Sequence, residues 1–402
     1  MIIQALIASF AVFAGMALSY VFHFFMTRLL APALYGELAV IIGILTVLLV
    51  PTSSIQTLLA REIAKLDKEH EGGIVIGLVK KYSKTIFLSS LAVGVVLLPS
   101  SYLIAQIFND TQLILPIQII ALGVPLAFLT PVVRAYYQGR ERIWSLSGIM
   151  VGEPFLKVIS AVALVLLGFG LLGATFSLLV GSLLPVSLIF PIILKKGKPL
   201  NYSLNLNKSF LLILPTSILI MLFLYLDLFF VRYYLGSDQA GYYNVASITS
   251  RVLFYAVGGV TLVFLPKSSK LSIYKDRREL KVLLTKSVLL LIPIFAIFIL
   301  FPTQIISIFY TEKYLVALTP FIVLSVGMFA LGIFQILLNF LWSQGMEKLP
   351  LTLSAIVVFI DVLLLNHLTP ALGLMGASIA TTSSAILFLI PSSFVTISYL
   401  RK

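Results

Sequence analysis

The chain lacks cysteine entirely and is poor in charged residues. Among its 402 residues there is no Cys, so neither a disulfide nor a thiolate metal site can form. Only 11% of the residues are charged, whereas an ordinary soluble domain has about 25%. Hydrophobic residues make up 60% of the chain, and the mean hydropathy is +1.11. This composition excludes an ordinary soluble domain and predicts a polytopic membrane protein.

Several chemical signatures are also absent from the sequence. It has no glycine-rich phosphate loop followed by Lys and Ser or Thr, no metal-ligand constellation, and no acid/base cluster on a sizeable loop. We therefore expect no cofactor, no nucleotide site and no enzymatic activity. The net charge of +13 lies in short loops without a nucleic-acid-binding module. It predicts attraction to anionic membrane lipids rather than to nucleic acid.

Long apolar runs recur along the whole chain. A run of about 20 residues crosses roughly 30 Å of hydrocarbon as a helix. Lipid offers the backbone no hydrogen-bond partners, and these runs are too uniformly apolar for barrel strands, so we predict helices. Tight turns at 30–37, 168–170 and 368–373 join some of them. The twelve predicted spans are 3–27, 37–60, 83–105, 112–136, 146–168, 171–194, 209–234, 241–265, 284–309, 315–342, 349–368 and 371–398.

The positive charges predict the orientation of these spans. Most of the 28 Lys and Arg residues, Arg134 among them, fall on the connections that follow even-numbered spans. The odd-numbered connections hold only Arg28, Arg232 and Lys313. Short cytoplasmic loops retain Lys and Arg. We therefore predict a multi-pass protein of the cell membrane with both termini in the cytoplasm.

Three short segments recur in the second half of the chain in the same order and at nearly the same offset. Repeats at a fixed period indicate duplicated structural units. Because each half contains an even number of spans, the halves have the same topology and form a parallel repeat typical of transporters. We predict an N-lobe at 1–200 and a C-lobe at 201–402 around a central cavity. The matched segments are LAPALYGELAVI (30–41) with LGSDQAGYYNVA (235–246), YYQGRER (136–142) with WSQGMEK (342–348), and GLLGA (170–174) with GLMGA (373–377).

A set of loose motifs in a fixed order covers nearly the full chain. The motifs are LAPALYG after the first span, Arg61 closing the second, QGRER after the fourth, GLLGA opening the sixth, Asp227 followed by LGSDQAGYYNVA, and Pro266 ending the eighth. In these features the chain resembles the polysaccharide-transport branch of the multidrug/oligosaccharidyl-lipid/polysaccharide flippase superfamily. The resemblance implies a V-shaped pair of six-helix lobes that moves lipid-linked oligosaccharides to the outer leaflet. It also implies an isoprenoid phosphate or pyrophosphate glycan as ligand and glycan-assembly enzymes as partners.

A single arginine lies near the midplane of the eighth span. Arg251 is ten residues inside this span, about 15 Å deep. A charge at that depth costs roughly 2.5–3.5 kcal/mol on insertion scales, so it needs a role. One role is to line a wet cavity that binds the substrate; the other is to pair with Asp227 or Asp361 and hold helices together. The polar face that contains it consists of Asn244, Ser247, Arg251, Tyr255 and Gly258.

The fifth span raises the same question. Glu153 and Lys157 are four residues apart and so share one helix face. Lys157 either contacts the anionic head of the substrate or forms an intrahelical ion pair with Glu153. Ammonium and guanidinium groups can replace the hydration that a phosphate loses.

Four titratable groups within the spans are candidates for ion coupling or for counter-charges. Asp227, Asp361 and Glu153 are acidic, and His23 takes the place of the acidic residue that multidrug relatives often carry on the first helix. Any of them could bind a proton or sodium and couple transport to a gradient. Alternative functions are a multidrug exporter of the same superfamily, a membrane glycan polymerase or ligase, and a scaffold whose buried charges are dispensable.

Overall fold

The computed structural model describes residues 2–68, 72–198, 208–273 and 277–401. Within these ranges every regular element is helical and there is no strand. The chain forms two compact units, Met1–Leu206 and Asn207–Lys402. The lobe boundary predicted between 200 and 201 lies outside the described residues. An all-helical architecture is what lipid requires, because a helix satisfies its own backbone hydrogen bonds.

The first unit contains six long helices. They are α1 Ile2–Leu29, α2 Pro32–Lys68, α3 Gly72–Ile107, α4 Ile114–Gly139, α5 Ile143–Leu164 and α6 Gly170–Ile193. A short 3₁₀ turn, Thr111–Leu113, precedes α4, and a π turn, Val165–Phe169, separates α5 from α6. Helix α5 packs between α1 and α6, while α4 packs against α2, α3 and α6. This arrangement brings α1, α4, α5 and α6 around one region of the unit.

The helices of the second unit differ more in length than those of the first. Its helices are α7 Lys208–Leu235, α8 Ser237–Ile273, α9 Arg277–Leu289, α10 Ile292–Leu300, α11 Pro302–Phe309, α12 Leu318–Ser343 and α13 Lys348–Arg401. The ninth predicted span, 284–309, is therefore broken into three helices. Both α10 and α11 have a proline in their first turn, where its missing N–H costs no hydrogen bond. Helix α13 packs against α7 and α12, and α12 also packs against α8.

The helices match the predicted spans but extend beyond several of them. Nine stretches of the described residues are long and apolar enough to cross a membrane. Two of these, 143–193 and 348–400, each contain two predicted spans separated by a kink. Helix α8 contains the eighth predicted span but is not among the nine. The predicted turn at 30–37 is shorter than expected, because α2 already begins at Pro32, a favoured first position.

The repeated GLLGA and GLMGA segments bend the chain in both units. Gly170 (φ 50°) opens α6, and Gly373 (φ 63°) interrupts α13. These left-handed backbone angles favour glycine, because a Cβ atom would clash there. The sequence repeat therefore marks the same local bend twice.

Candidate functional site

A cavity of about 310 Å³ lies in the first unit, between α1, α4, α5 and α6. Its charged lining residues are Arg134 of α4 and Glu153 and Lys157 of α5. Ser19 of α1 also lines it, although its hydroxyl donates to the Gly15 carbonyl oxygen at 3.0 Å. Two cations and one carboxylate leave the cavity with an excess of positive charge.

Glu153 pairs with Arg134 across two helices. The Arg134 Nη2 donates to Glu153 Oε2 at 2.6 Å, a charge-assisted hydrogen bond of the strong class. Both side chains remain about a quarter exposed, at 28% and 23%. The intrahelical pair with Lys157, one of the two alternatives that the sequence leaves open, is therefore reduced to an electrostatic interaction beside the direct Arg134–Glu153 salt bridge. The Arg134 guanidinium presents several N–H donors to Glu153 from α4. Lys157, four residues after Glu153, lies on the same face of α5 but does not bond directly to the carboxylate.

Lys157 has a different environment from Arg134. Its Nζ lies 4.7 Å from the centroid of the Phe22 ring, within the range of a cation–π contact. Among the residues that the structure describes, the ammonium group makes no direct salt bridge, but the Glu153 carboxylate interacts with it electrostatically. The side chain is partly exposed and lines the cavity. Lys157 is thus a cation in the wall of the cavity, beside an aromatic ring.

Glycines allow the cavity helices to approach one another closely. A Cβ atom at Gly15 of α1 would lie 2.6 Å from the Met150 carbonyl oxygen of α5. One at Gly181 of α6 would lie 2.8 Å from the Glu153 carbonyl oxygen. Small residues permit such close packing in membrane proteins. These two positions let α1 and α6 pack closely on α5, the helix that carries Glu153 and Lys157.

Sequence reasoning missed Arg134 as a site residue. It was assigned to the positive connection after the fourth span, but α4 continues to Gly139 and keeps Arg134 within the helix. Its position in the sequence could have placed Arg134 in the helix, since residue 134 already lies inside the predicted span 112–136. The partner itself could not be predicted, because it depends on how α4 packs against α5.

The second unit holds Arg251 in a buried network. The residue is 2% exposed, and its Nη2 lies 3.5 Å from Asp227 Oδ1. The same nitrogen donates to the Leu224 carbonyl oxygen, and the guanidinium lies 4.1 Å from the centroid of the Tyr225 ring. Of the two roles left open by the sequence, the structure places Arg251 in the counter-charge role. The cavity-lining role that the sequence favoured does not match this geometry.

Asp227 is surrounded by hydrogen-bond donors. Tyr243 Oη donates to Oδ2 at 3.0 Å, Ser247 Oγ donates to the same oxygen at 3.2 Å, and the Leu228 backbone N–H donates to Oδ1 at 2.7 Å. A fully buried charge is tolerated when it is paired and hydrogen-bonded in this way. The carboxylate and Arg251 together link α7 to α8.

Three residues of the predicted polar face of α8, Asn244, Ser247 and Arg251, are buried. Ser247 is fully buried, and Asn244 is 3% exposed with an amide nitrogen that has no partner in the described part of the chain. Tyr255, by contrast, is 37% exposed. Gly258 lies in α8, but its surroundings are outside the described residues. The prediction that this face lines a wet cavity is replaced by a helix contact within the second unit.

The remaining candidates are not among the residues that line this cavity. Asp361 of α13 is fully buried, with the Ser384 hydroxyl beside its carboxyl group. It is close enough to Asp227 for the two carboxyl groups to interact electrostatically. His23, 7% exposed, has its Nδ1 3.0 Å from Tyr35 Oη and so connects α1 to α2. In the described ranges, no group of three His, Asp or Glu residues is placed to hold a metal ion.

Comparison with solved structures shows which proteins share this fold. An inward-facing structure of a multidrug resistance MATE family transporter of the MOP superfamily covers 96% of this chain and 94% of its own, with a TM-score of 0.79 and 13% identity. The lipid II flippase MurJ, in an inward closed conformation, covers 100% and 89%, with a TM-score of 0.70 and 17% identity. A MOP superfamily transporter from Pyrococcus furiosus, described as having a binding pocket of reverse polarity, covers 99% and 96%, with a TM-score of 0.63 and 18% identity.

Comparison of sequences identifies the family. The uncharacterized membrane protein MJ1068 of Methanocaldococcus jannaschii is 30% identical over 162 residues, which is 39% of this chain and 32% of that protein. The chain thus matches about a third of the length of this relative. The family described as "Polysaccharide biosynthesis protein" matches residues 25–319. The chain therefore belongs to the polysaccharide biosynthesis protein family, and it has the fold of the MOP superfamily transporters.

Proposed function

We propose that the protein is a flippase that moves lipid-linked oligosaccharide or polysaccharide precursors from the cytoplasmic to the outer leaflet by alternating access. The observation that supports this proposal is Lys157, a cation that lines the cavity of the first unit and makes no direct salt bridge among the described residues, since Glu153 is bonded to Arg134. Arg134, held beside it by Glu153, adds a second cation. The cavity thus suits an anion.

The chemistry of the substrate explains why such cations are needed. A lipid-linked glycan carries a phosphate or pyrophosphate between its isoprenoid and its sugars, and this anion loses its hydration when it crosses hydrocarbon. A guanidinium binds phosphate oxygens through paired N–H groups, while an ammonium binds as a point charge. The isoprenoid chain can stay in the lipid throughout. Membrane lipids and, in the cell, glycan-assembly enzymes are the partners that this role requires.

The same geometry argues against the multidrug exporter. Cationic drugs call for an acidic cavity, but Glu153, the carboxylate in this one, is already neutralised by Arg134. The fold alone does not discriminate, since the solved relatives include both multidrug transporters and a lipid II flippase. The sign of the charge available in the cavity is what supports the lipid-linked anion.

Energy coupling belongs to the second unit in this proposal. Asp361 is fully buried and lies near the like charge of Asp227, so binding of a proton or a sodium ion would relieve a large desolvation cost. Asp227 is stabilised by Arg251 and serves as the fixed charge beside it. His23 bonds to Tyr35 and acts as a helix link.

Transport by reconstituted protein tests the proposal. Proteoliposomes receive either a fluorescent lipid-linked oligosaccharide or a cationic dye, each with and without proton and sodium gradients. We expect the glycolipid to cross and the dye to remain. Export of the dye without transfer of the glycolipid would establish the multidrug alternative instead.

A further inference from the structure

The second unit contains a groove that is not part of the proposed transport path. It is a groove of about 350 Å³ between α9, α12 and α13. Its walls are largely apolar and include Leu284 and Val288 of α9, Leu337 of α12 and Ile397 of α13. Leu284 and Leu337 belong to a buried hydrophobic cluster, so the floor of the groove is part of the core of this unit.

One end of the groove carries a positive charge. Lys281, in the second turn of α9, lines the groove and is exposed. Helix α9 as a whole contains four basic residues, Arg277, Arg278, Lys281 and Lys286, against one acid, Glu279. By the predicted orientation, this end of α9 lies at the cytoplasmic leaflet, which is rich in anionic lipids. A ligand with an anionic head and an apolar body would complement both parts of the groove.

Hydroxyl groups on α13 complete the polar lining. Thr396 is 2% exposed and lines the groove, and its Oγ1 has no hydrogen-bond partner in the part of the chain that the structure describes. Ser393, one turn earlier, lines the same wall. Burying a hydroxyl group without a hydrogen-bond partner costs free energy, so we expect a ligand to provide one. The oxygens that link a lipid head to its chains would supply it.

We propose that this groove binds an anionic membrane lipid of the cytoplasmic leaflet. Its phosphate lies against Lys281, its linkage oxygens lie near Thr396, and one hydrocarbon chain lies along Val288, Leu337 and Ile397. The charge and the apolar surface favour a lipid over a protein segment, because the walls are formed by helices apolar enough to cross a membrane. This inference does not depend on what the protein transports.

Lipid binding to the purified full-length protein tests the proposal. Native mass spectrometry counts bound phosphatidylglycerol and phosphatidylcholine with the same acyl chains. We expect phosphatidylglycerol to bind more tightly, and Lys281→Gln to weaken it about fivefold, as one Lys near a membrane surface contributes about 1 kcal/mol. Lys281→Arg should retain binding. Lys286→Gln, which removes the same charge from the same helix outside the groove, is the matched control.

A second pair of variants tests the groove independently of charge. Ile397 is 49% exposed and lines the groove, so Ile397→Trp should fill it and displace both lipids while the helices keep their packing. Phe394→Trp, at a 73% exposed position outside the groove on the same helix, should leave binding unchanged. Equal losses for Lys281→Gln and Lys286→Gln, or unchanged binding to Ile397→Trp, would overturn the proposal. Equal binding of the two lipids by the wild type would overturn it as well.

Discussion

Two basic residues within the predicted spans, Arg251 and Lys157, are stabilised in different ways. Arg251 is sealed against Asp227, the Leu224 carbonyl oxygen and the Tyr225 ring. Lys157 lies beside an aromatic ring but keeps its ammonium group at a cavity. A buried ion pair of the first kind holds helices together, whereas a cation of the second kind can bind a ligand.

Removal of Arg251 should destabilise the second unit. Arg251→Ala leaves Asp227 as a buried charge without its cation, which typically costs about 3–5 kcal/mol. We expect a clearly lower thermal unfolding temperature in detergent, measured by intrinsic fluorescence. The double variant Arg251→Met with Asp227→Leu removes both charges and should recover much of the loss. Unchanged stability of Arg251→Ala would show that the pair contributes little.

Removal of Glu153 should improve anion binding. Glu153→Gln takes away the carboxylate that occupies Arg134, so both cations in the cavity become available. We expect affinity for a short-chain lipid pyrophosphate, measured by calorimetry, to rise about tenfold, equivalent to about 1.4 kcal/mol. Glu141→Gln, at an exposed acid in the α4–α5 connection, serves as the control. A fall in affinity would mean instead that Glu153 positions Arg134 for the ligand.

Close helix contacts decide the shape of the cavity. The packing of α1 and α6 on α5 depends on Gly15 and Gly181, where a side chain would overlap the α5 backbone. Hydropathy predicted these helices well, because each must span the lipid and bond its own backbone. It could not predict which face of α4 meets α5, and so Arg134 was assigned to a loop. The bends at Gly170 and Gly373, by contrast, were marked by the repeated segments.

A methyl group at Gly15 should disturb the cavity. Gly15→Ala places a Cβ atom 2.6 Å from the Met150 carbonyl oxygen, so α1 must move away from α5. Overpacking of this kind costs about 1–3 kcal/mol, and we expect both transport and thermal stability to fall. Gly148→Ala on α5 is the control, because its Cβ atom would meet no neighbour within 4 Å. Equal behaviour of the two variants would argue against the close α1–α5 contact.

At the scale of the whole molecule, the two units share a repeat but differ in the chemistry of their interiors. The first unit contains a cavity with excess positive charge, and the second contains the buried Arg251–Asp227 pair near the buried carboxyl of Asp361. The sequence predicts the repeat from its matched segments and the spans from their hydropathy. It predicts the buried charges because charged residues are conspicuous in apolar runs. It favoured the cavity role for Arg251 because pairing between helices depends on side-chain directions that hydropathy does not specify.

The most direct test of the account is the rate at which Lys157 variants transfer a fluorescent lipid-linked oligosaccharide across proteoliposomes. Loss of one charge-assisted contact, about 1.5–3 kcal/mol, predicts that Lys157→Gln is about tenfold slower or worse, with Lys157→Arg retaining part of the rate. Lys195→Gln, which removes an exposed charge at the end of α6, should transfer at the wild-type rate. Wild-type transfer by correctly folded Lys157→Gln would contradict the central claim that this cation binds the anionic head of the substrate.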